Sequence, residues 1–419
     1  MLQVIRKTRG LLILLLAGFA SSPSTVSAHG EKALEPFIRM RTIQWYDIQW
    51  SGSDLRVNDE LVITGKFHVA EDWPINVPKP EATYLNVATP GPVFIRTGRY
   101  LNGQPTMSSV QLEEGGDYTF KIVLKARIPG RYHIHPFFNL RDAGAVVGPG
   151  SWVDISGNAS DFSNQVKLLN GEVINMETFG LSNAIYWHAV WILAGTTWLL
   201  WWLRRPLFIQ RYRMLAAGQE AQLVTVTDRN IGKAILIGVA VLVLMANNTT
   251  QGNHPNAIPL QAARDQIDPL SPVVNNGDVV VRVYKSVYRI PERTMFLSVR
   301  VENRTDSALQ IGELSVANVR FINPGVSPEN EQDTDELIIS SGLRIDDNTA
   351  IAPGESKNIN IAAQDAAWET ERLDGLIRDA DSRMGGLLFL YGQDSKRYIV
   401  SLSTSVIPEF TIAQRGKPK

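Results

Sequence analysis

The sequence predicts a mainly β protein, two β-sandwich domains joined by two transmembrane α-helices and preceded by an export signal. Three observations carry that reading. Long apolar runs are confined to residues 1–28, 183–203 and 231–246, and the rest of the chain reads as soluble. The soluble parts alternate β-branched and aromatic residues between turn signals, which is strand rather than helix patterning. At 419 residues the chain is also longer than one core usually organises, so two or three bodies are expected.

Arg6, Lys7 and Arg9 precede a short apolar stretch that ends in Val26-Ser27-Ala28. This is the pattern of a secretory signal peptide over residues 1–28, with cleavage after Ala28 and a mature start at His29-Gly30-Glu31. The stretch falls short of the roughly 20 residues a span needs. Residues 29–182 form the first expected domain, with strand-like runs such as Tyr118-Thr119-Phe120-Lys121-Ile122-Val123-Leu124. Residues 183–203 carry no formal charge and include Trp187, Trp191, Trp198, Trp201 and Trp202, as expected of a transmembrane helix with aromatic interface anchors. Arg204, Arg205, Arg211, Arg213 and Arg229 mark residues 204–230 as a cytoplasmic loop by the positive-inside rule. A second span over 231–250 returns the chain to the outside. Residues 251–419 then form a second sandwich, with turns at 303–307 and 353–355 and one helical insert near 366–378.

A formal net charge of -1 gives no basic excess for nucleic acid. The cysteine count is zero, which removes disulfides, zinc-thiolate and iron-sulfur sites, thiol nucleophiles and blue copper together. Any metal must therefore use histidines and carboxylates.

The six histidines are His29, His68, His133, His135, His188 and His254. His133-Ile134-His135 follows the turn Pro129-Gly130-Arg131, and residues two apart on a strand share a face. Both imidazoles then project together as a two-arm clamp, although such pairs also arise by chance on sheet surfaces. An amino-terminal His29 would add its α-amine and its imidazole, giving a nitrogen-rich set that favours copper. Glu31 reads either as an acceptor that orients a ligand imidazole or as a solvated carboxylate. His68, at a strand end near Glu71 and Asp72, reads as a hydrogen-bonded edge histidine. His188 lies in the first span, as a functional ionisable group or as a hydrogen bond between helices. His254 reads as loop. No metal site can be named beyond Pro255, and the second sandwich reads as docking surface. No serine-hydrolase elbow, phosphate-binding glycine loop or dinucleotide fingerprint is present.

His29-Gly30-Glu31-Lys32, the run Arg39-Met40-Arg41-Thr42-Ile43-Gln44-Trp45-Tyr46-Asp47, Pro92-Val93-Phe94-Ile95-Arg96, Pro129-Gly130-Arg131-Tyr132-His133-Ile134-His135, Gly148-Pro149-Gly150 and Ile258-Pro259-Leu260-Gln261-Ala262 resemble the beta subunit of the copper membrane monooxygenases. That family includes ammonia monooxygenase and particulate methane monooxygenase. The resemblance implies two periplasmic cupredoxin-like domains, two membrane-embedded partner subunits in a trimer of heterotrimers, and a copper site on His29, His133 and His135. Methane-oxidising members can carry a histidine where this chain has Gln44, which puts in question a second copper site built from that position and His68. Gln44-Trp45-Tyr46-Asp47-Ile48 and His68-Val69-Ala70-Glu71-Asp72-Trp73-Pro74 are closer to the ammonia-oxidising branch. The implied reaction is hydroxylation of ammonia by dioxygen and quinol, with methane or a short alkane as the alternative substrate. A non-catalytic copper scaffold, or a free-standing copper-handling protein, is the reading of another class.

Overall fold

The computed structural model describes residues 34–168, 171–253, 264–327, 337–393 and 396–410. The export signal, His29, Glu31 and His254 lie outside the described residues.

The described chain is mainly β, arranged as two sandwiches. In the first, one sheet runs in the order Ile43–Trp50, Glu60–Val69, Asp117–Ala126, Phe94–Leu101, Gln104–Pro105. The facing sheet runs Arg264–Gln266, Ser109–Gln111, Thr83–Ala88, Gly130–Leu140, Ser151–Ser156, Asp54–Arg56, with Gly144–Val147 paired to the side of Gly130–Leu140. Alternation puts Leu61, Ile63, Phe67, Ile122, Leu124, Ile134, Phe138 and Val153 inside, as a two-residue period requires. Trp45 stacks on Phe138 with ring centroids 5.4 Å apart and sits edge-on to Phe120 at 5.2 Å, so the aromatic centre of this core is geometrically specified.

The second sandwich pairs a sheet ordered Leu343–Ile345, Ser356–Gln364, Thr294–Asn303, Val279–Arg289, Ile407–Glu409 with another ordered Ile338–Ile339, Val319–Ile322, Leu309–Val316, Arg383–Gly392, Arg397–Ser405. The helical insert forms as Ala367–Thr370 followed by the 3-10 turn Leu373–Arg378. It exists to place Trp368, which is fully buried, stacked on Phe321 at 5.5 Å and donating its indole N–H to the Ala363 carbonyl at 2.9 Å.

Each sandwich holds a piece of the other's chain. The short helix Pro36–Arg39 lies against the turn Leu373–Arg378, and Met40 is buried in the second core with Phe37 beside it. In return, Arg264–Gln266 adds a parallel strand to Ser109–Gln111, and Ile267 is buried in the first core. Residues 264–267 thus follow the boundary drawn at 251 and yet pack on the first sandwich. Between the bodies, buried Arg41 reaches Asp381 at 2.7 Å and Asp72 at 3.2 Å. Asp47 takes Arg397 at 2.5 Å and Lys66 at 3.2 Å. Burial works against ionising Asp47, but the Arg397 hydrogen bond and charge, joined by Lys66, hold its carboxyl below the usual range. Tyr46, Val274, Leu387, Phe389 and Ile399 close an apolar seam beside these ions.

The close approach at Gly385 is a sharp test of the exchanged segment. A Cβ there would stand 2.6 Å from the Met40 carbonyl oxygen, a backbone atom that cannot swing aside. Gly385→Ala should therefore destabilise the protein by about 1–3 kcal/mol, as overpacking does. Thermal unfolding beside Gly52→Ala, whose added methyl meets nothing within 4 Å, checks it; equal melting temperatures would refute the packing argument.

The helices Leu181–Leu203 and Val226–Asn253 join the sandwiches. At 23 and 28 residues they extend about 35 and 42 Å, against a hydrocarbon core of roughly 30 Å. By length and apolar composition the segment Glu220–Asn253 qualifies as a span, with its apolar window unburied by protein. Among the described residues it is the one helix that meets this test, and the span expected at 183–203 does not meet it. Asp228 ties the two helices near the loop, accepting from Trp201 Nε1 at 3.1 Å and pairing with Arg205 at 2.8 Å.

Candidate metal centre

Gly130, at φ 143°, turns the chain into the strand Gly130–Leu140, a backbone angle that favours glycine. Ile134 points into the core and is fully buried, so His133 and His135 share the opposite face. Their rings stand perpendicular with centroids 4.5 Å apart, and His133 Nδ1 lies 3.0 Å from His135 Nε2. The strand Ser151–Ser156 sets Trp152 directly across from His133, with ring centroids 4.8 Å apart. Arg131 covers the other part of that indole at 5.0 Å.

The loop Gly148-Pro149-Gly150 holds His135 from above. His135 Nδ1 is 2.9 Å from the Gly148 carbonyl oxygen, which can only accept, so Nδ1 carries the proton and Nε2 presents its lone pair towards His133. Burial, with repulsion from His133 and Arg39, keeps the His135 pKa below its ordinary value and outweighs the Gly148 bond, favouring the neutral, ligating form. A Cβ on Gly150 would stand 2.4 Å from the His135 ring. Gly150→Ala should therefore push the imidazole out of line and weaken metal binding by roughly 10- to 100-fold, the usual cost of disturbing a ligand's support. Metal titration of the purified protein checks this, and unchanged affinity would show that the loop does not position His135.

Two nitrogens 3.0 Å apart fit adjacent ligands of one ion with metal–nitrogen bonds of about 2 Å. The pair fits copper by donor type, two imidazoles and no thiolate. Among the described residues no group of three or more histidines, cysteines or carboxylates is gathered about one point, and His29 lies outside them. Gly150 and Ser151 also wall an open cleft of about 1250 Å³ between the sandwiches, with Asp47, Lys66, Glu313 and Arg397 on its lining.

His68 is not an edge histidine. Its strand, Glu60–Val69, lies between two others, and the side chain is fully buried. Nδ1 meets Asp117 Oδ1 at 2.8 Å, and Nε2 stands 3.3 Å from Glu71 Oε2 in a geometry short of a hydrogen bond. Burial works to lower its pKa, but the Asp117 and Glu71 contacts prevail and raise it. Glu71 is held down to about 2 by His68 and by a bond from Asn275, against its own burial. Gln44, opposite His68 in register, donates to the Met40 carbonyl at 2.8 Å and accepts from Ser401 at 3.1 Å. Gln44 thus links the sandwiches directly, whereas His68 meets Asp117 and Glu71 of its own sandwich, which in turn bond residues 273–275. His188 bonds within its own helix, Nδ1 to the Ala184 carbonyl at 2.7 Å.

Asp117 escaped sequence reasoning, and Gly150 entered it only within the run Gly148-Pro149-Gly150, with no role. Asp117 is buried at 2% exposure under His68, and its signal was a carboxylate abutting an apolar alternation. Gly150 had a signal too, two glycines about a proline opposite paired histidines.

Comparison with known proteins places these residues in context. The family of the monooxygenase B-subunit protein matches residues 30–410. A protein of Methylococcus capsulatus named "Particulate methane monooxygenase alpha subunit" is 40% identical over 402 residues, covering 96% of each chain. Among solved structures, the cupredoxin domain of amoB from Nitrosocaldus yellowstonii overlaps 28% of this chain and 89% of its own, at 19% identity and a TM-score of 0.24. A PapD-like domain of human CEP192 overlaps 38% of this chain and all of its own, at 10% identity and a TM-score of 0.17. Overlaps this loose fix no fold.

Proposed function

Because the chain belongs to the family of monooxygenase B-subunit proteins and is a subunit of a monooxygenase, we propose that it is the copper-binding subunit of a membrane complex that hydroxylates ammonia to hydroxylamine with dioxygen and quinol. The observation that carries the copper assignment is the 3.0 Å approach of His133 Nδ1 and His135 Nε2, with the Gly148 carbonyl setting the ligating tautomer.

His29 is the proposed third residue, through its α-amine and imidazole at a mature terminus. Leu34 donates its backbone N–H to Ala145 at 2.9 Å, and Ala145 pairs with Asn139 on the strand that carries His135. Five residue steps lead from Leu34 to His29 and reach about 17 Å, while Asn139 and His135 are about 13 Å apart along the strand. The covalent chain is long enough. Copper, when bound, supplies one-electron redox chemistry toward dioxygen. The chain's own part is to hold His135 neutral and oriented, to brace His133 on Trp152, and to close the inner side of the pair with Ile134.

Direct ion pairs between the sandwiches put both on one side of any membrane, which requires an even number of crossings. This supports two spans, by Leu181–Leu203 and Val226–Asn253, with both soluble bodies periplasmic and the arginine-rich loop cytoplasmic. The proposed assembly includes two further membrane subunits in a trimer of heterotrimers.

The substrate reading rests on the runs Gln44-Trp45-Tyr46-Asp47-Ile48 and His68-Val69-Ala70-Glu71-Asp72-Trp73-Pro74, which are closer to the ammonia-oxidising branch. The name of the Methylococcus capsulatus relative favours methane as the second reading. Purifying the complex with its partners and assaying hydroxylamine from ammonia against methanol from methane decides between them. Faster turnover of methane would overturn the ammonia assignment. Purification of the chain alone as a soluble copper carrier would overturn the subunit role, and intact-mass determination tests whether His29 is the first residue.

A further inference from the structure

Between the two long helices lies a third, Phe208–Ala216, whose sequence Phe-Ile-Gln-Arg-Tyr-Arg-Met-Leu-Ala contains no acidic residue. Phe208 is 90%, Tyr212 73%, Ile209 72% and Leu215 49% exposed. At about 100° per residue these four fall within an arc of roughly 120°, and arginine flanks the arc on each side, Arg211 on one and Arg213 on the other. Part of the remaining surface faces the protein, where Arg211 and Met214 are half-buried, while Gln210 is exposed. Arg211 donates to the Leu223 carbonyl at 2.7 Å and lies over the Trp202 ring at 5.5 Å. The helix is therefore docked on the tryptophan-rich end of Leu181–Leu203 with its apolar edge turned outward.

We propose that Phe208–Ala216 is a membrane-surface helix, with Phe208, Ile209, Tyr212 and Leu215 in the boundary between headgroups and acyl chains and the neighbouring arginines on anionic phospholipid headgroups. It rests on the two-span reading above. Two observations select lipid as the occupant. The helix is joined by four residues to a helix end carrying Trp198, Trp201 and Trp202, residues that mark interface depth, so its apolar edge continues a surface already facing lipid. Exposed Arg204 precedes the helix by four residues and exposed Arg213 lies on it, and both complement anionic headgroups, in the arrangement interfacial helices use.

The chain has no cysteine, so single labels can be placed in the assembled complex, with the unsubstituted complex labelled in parallel as background. Phe208→Cys, Gln210→Cys, Tyr212→Cys and Val241→Cys would each carry an environment-sensitive fluorophore in nanodiscs of phosphatidylcholine, with or without one part in three of phosphatidylglycerol. Positions 208 and 212 should emit further to the blue than 210 and be quenched at least about twofold more by a nitroxide near the lipid headgroup than by aqueous iodide. Phosphatidylglycerol should enhance that quenching, and Arg204→Gln with Arg213→Gln should remove the enhancement. Shielding of 208 and 212 from both quenchers would mean that a partner subunit covers the face, and access to iodide would mean that water does; either overturns the proposal. So does quenching that ignores phosphatidylglycerol. Val241 should be quenched by a nitroxide at the acyl-chain centre. If it is not, the spanning reading itself fails, a result distinct from failure at 208 and 212 alone.

Discussion

Asp117→Ala will destabilise the protein by about 3–5 kcal/mol, the range for removing one partner from a buried charge pair. Its Oδ1 meets His68 Nδ1 at 2.8 Å, and its Oδ2 accepts the backbone N–H groups of Val273 and Val274 at 2.6 and 2.9 Å. Its own carbonyl accepts from Leu270 at 2.8 Å. One side chain thus fixes the first sandwich to the strand of chain that opens the second. Val274 bridges Ile399 and belongs to the apolar seam, so loosening it opens the contact between bodies as well as orphaning two amides and an imidazole. Asp117→Asn keeps one acceptor oxygen and should cost less. Calorimetric unfolding of the purified complex measures both, and a loss below about 1 kcal/mol for the alanine variant, the worth of an ordinary hydrogen bond, would refute the clamp.

The same cluster predicts a pH dependence whose sign follows from the two shifts. His68 has a raised folded pKa, so its contribution is fully present below the ordinary histidine value of about 6.5 and is lost as pH rises through the folded value. Glu71 is depressed to about 2, so its contribution is present above roughly 4.3 and is lost as pH falls toward 2. The pair stabilises most between those limits. The melting-temperature gap between the natural protein and His68→Gln should therefore be widest near pH 5 to 6 and narrow toward pH 9. A gap that widens with pH would contradict the charged imidazole.

His133 and His135 were legible in the sequence because a two-residue period is local: once 130–140 is a strand, both rings share a face whatever lies around them. The insert at 366–378 was legible for a similar reason, a helix-forming stretch between strand runs. His68 was misplaced because apolar alternation through Phe67 and Val69 says that a strand is half-buried and nothing about which strands flank it; its neighbours come from residues 43–50 and 117–126. Nor could spacing show that Met40 is buried in a core built from residues more than two hundred positions away, or that Arg264–Gln266 would pair with Ser109–Gln111. Those placements depend on how the two sandwiches meet, and no window of sequence contains both partners.

Substituting His135 by alanine should abolish copper binding by this subunit, with a loss above roughly 100-fold, since disturbing a ligand's support alone costs 10- to 100-fold. The fold should tolerate the change, because Ile134 and Phe138, not His135, fill the core behind the strand. Copper resonance spectra of the assembled complex would then lack the coupling to imidazole nitrogen expected of this site, and His133→Ala should produce the same loss. Retention of that signal in both variants would move the copper elsewhere. Turnover read on the same samples separates the two classes of role, because a site needed for hydroxylation must fail in step with its copper. If copper is lost while ammonia or methane oxidation persists, the His133–His135 pair holds a structural ion and this chain is the scaffold on which a catalytic centre in a partner subunit is assembled.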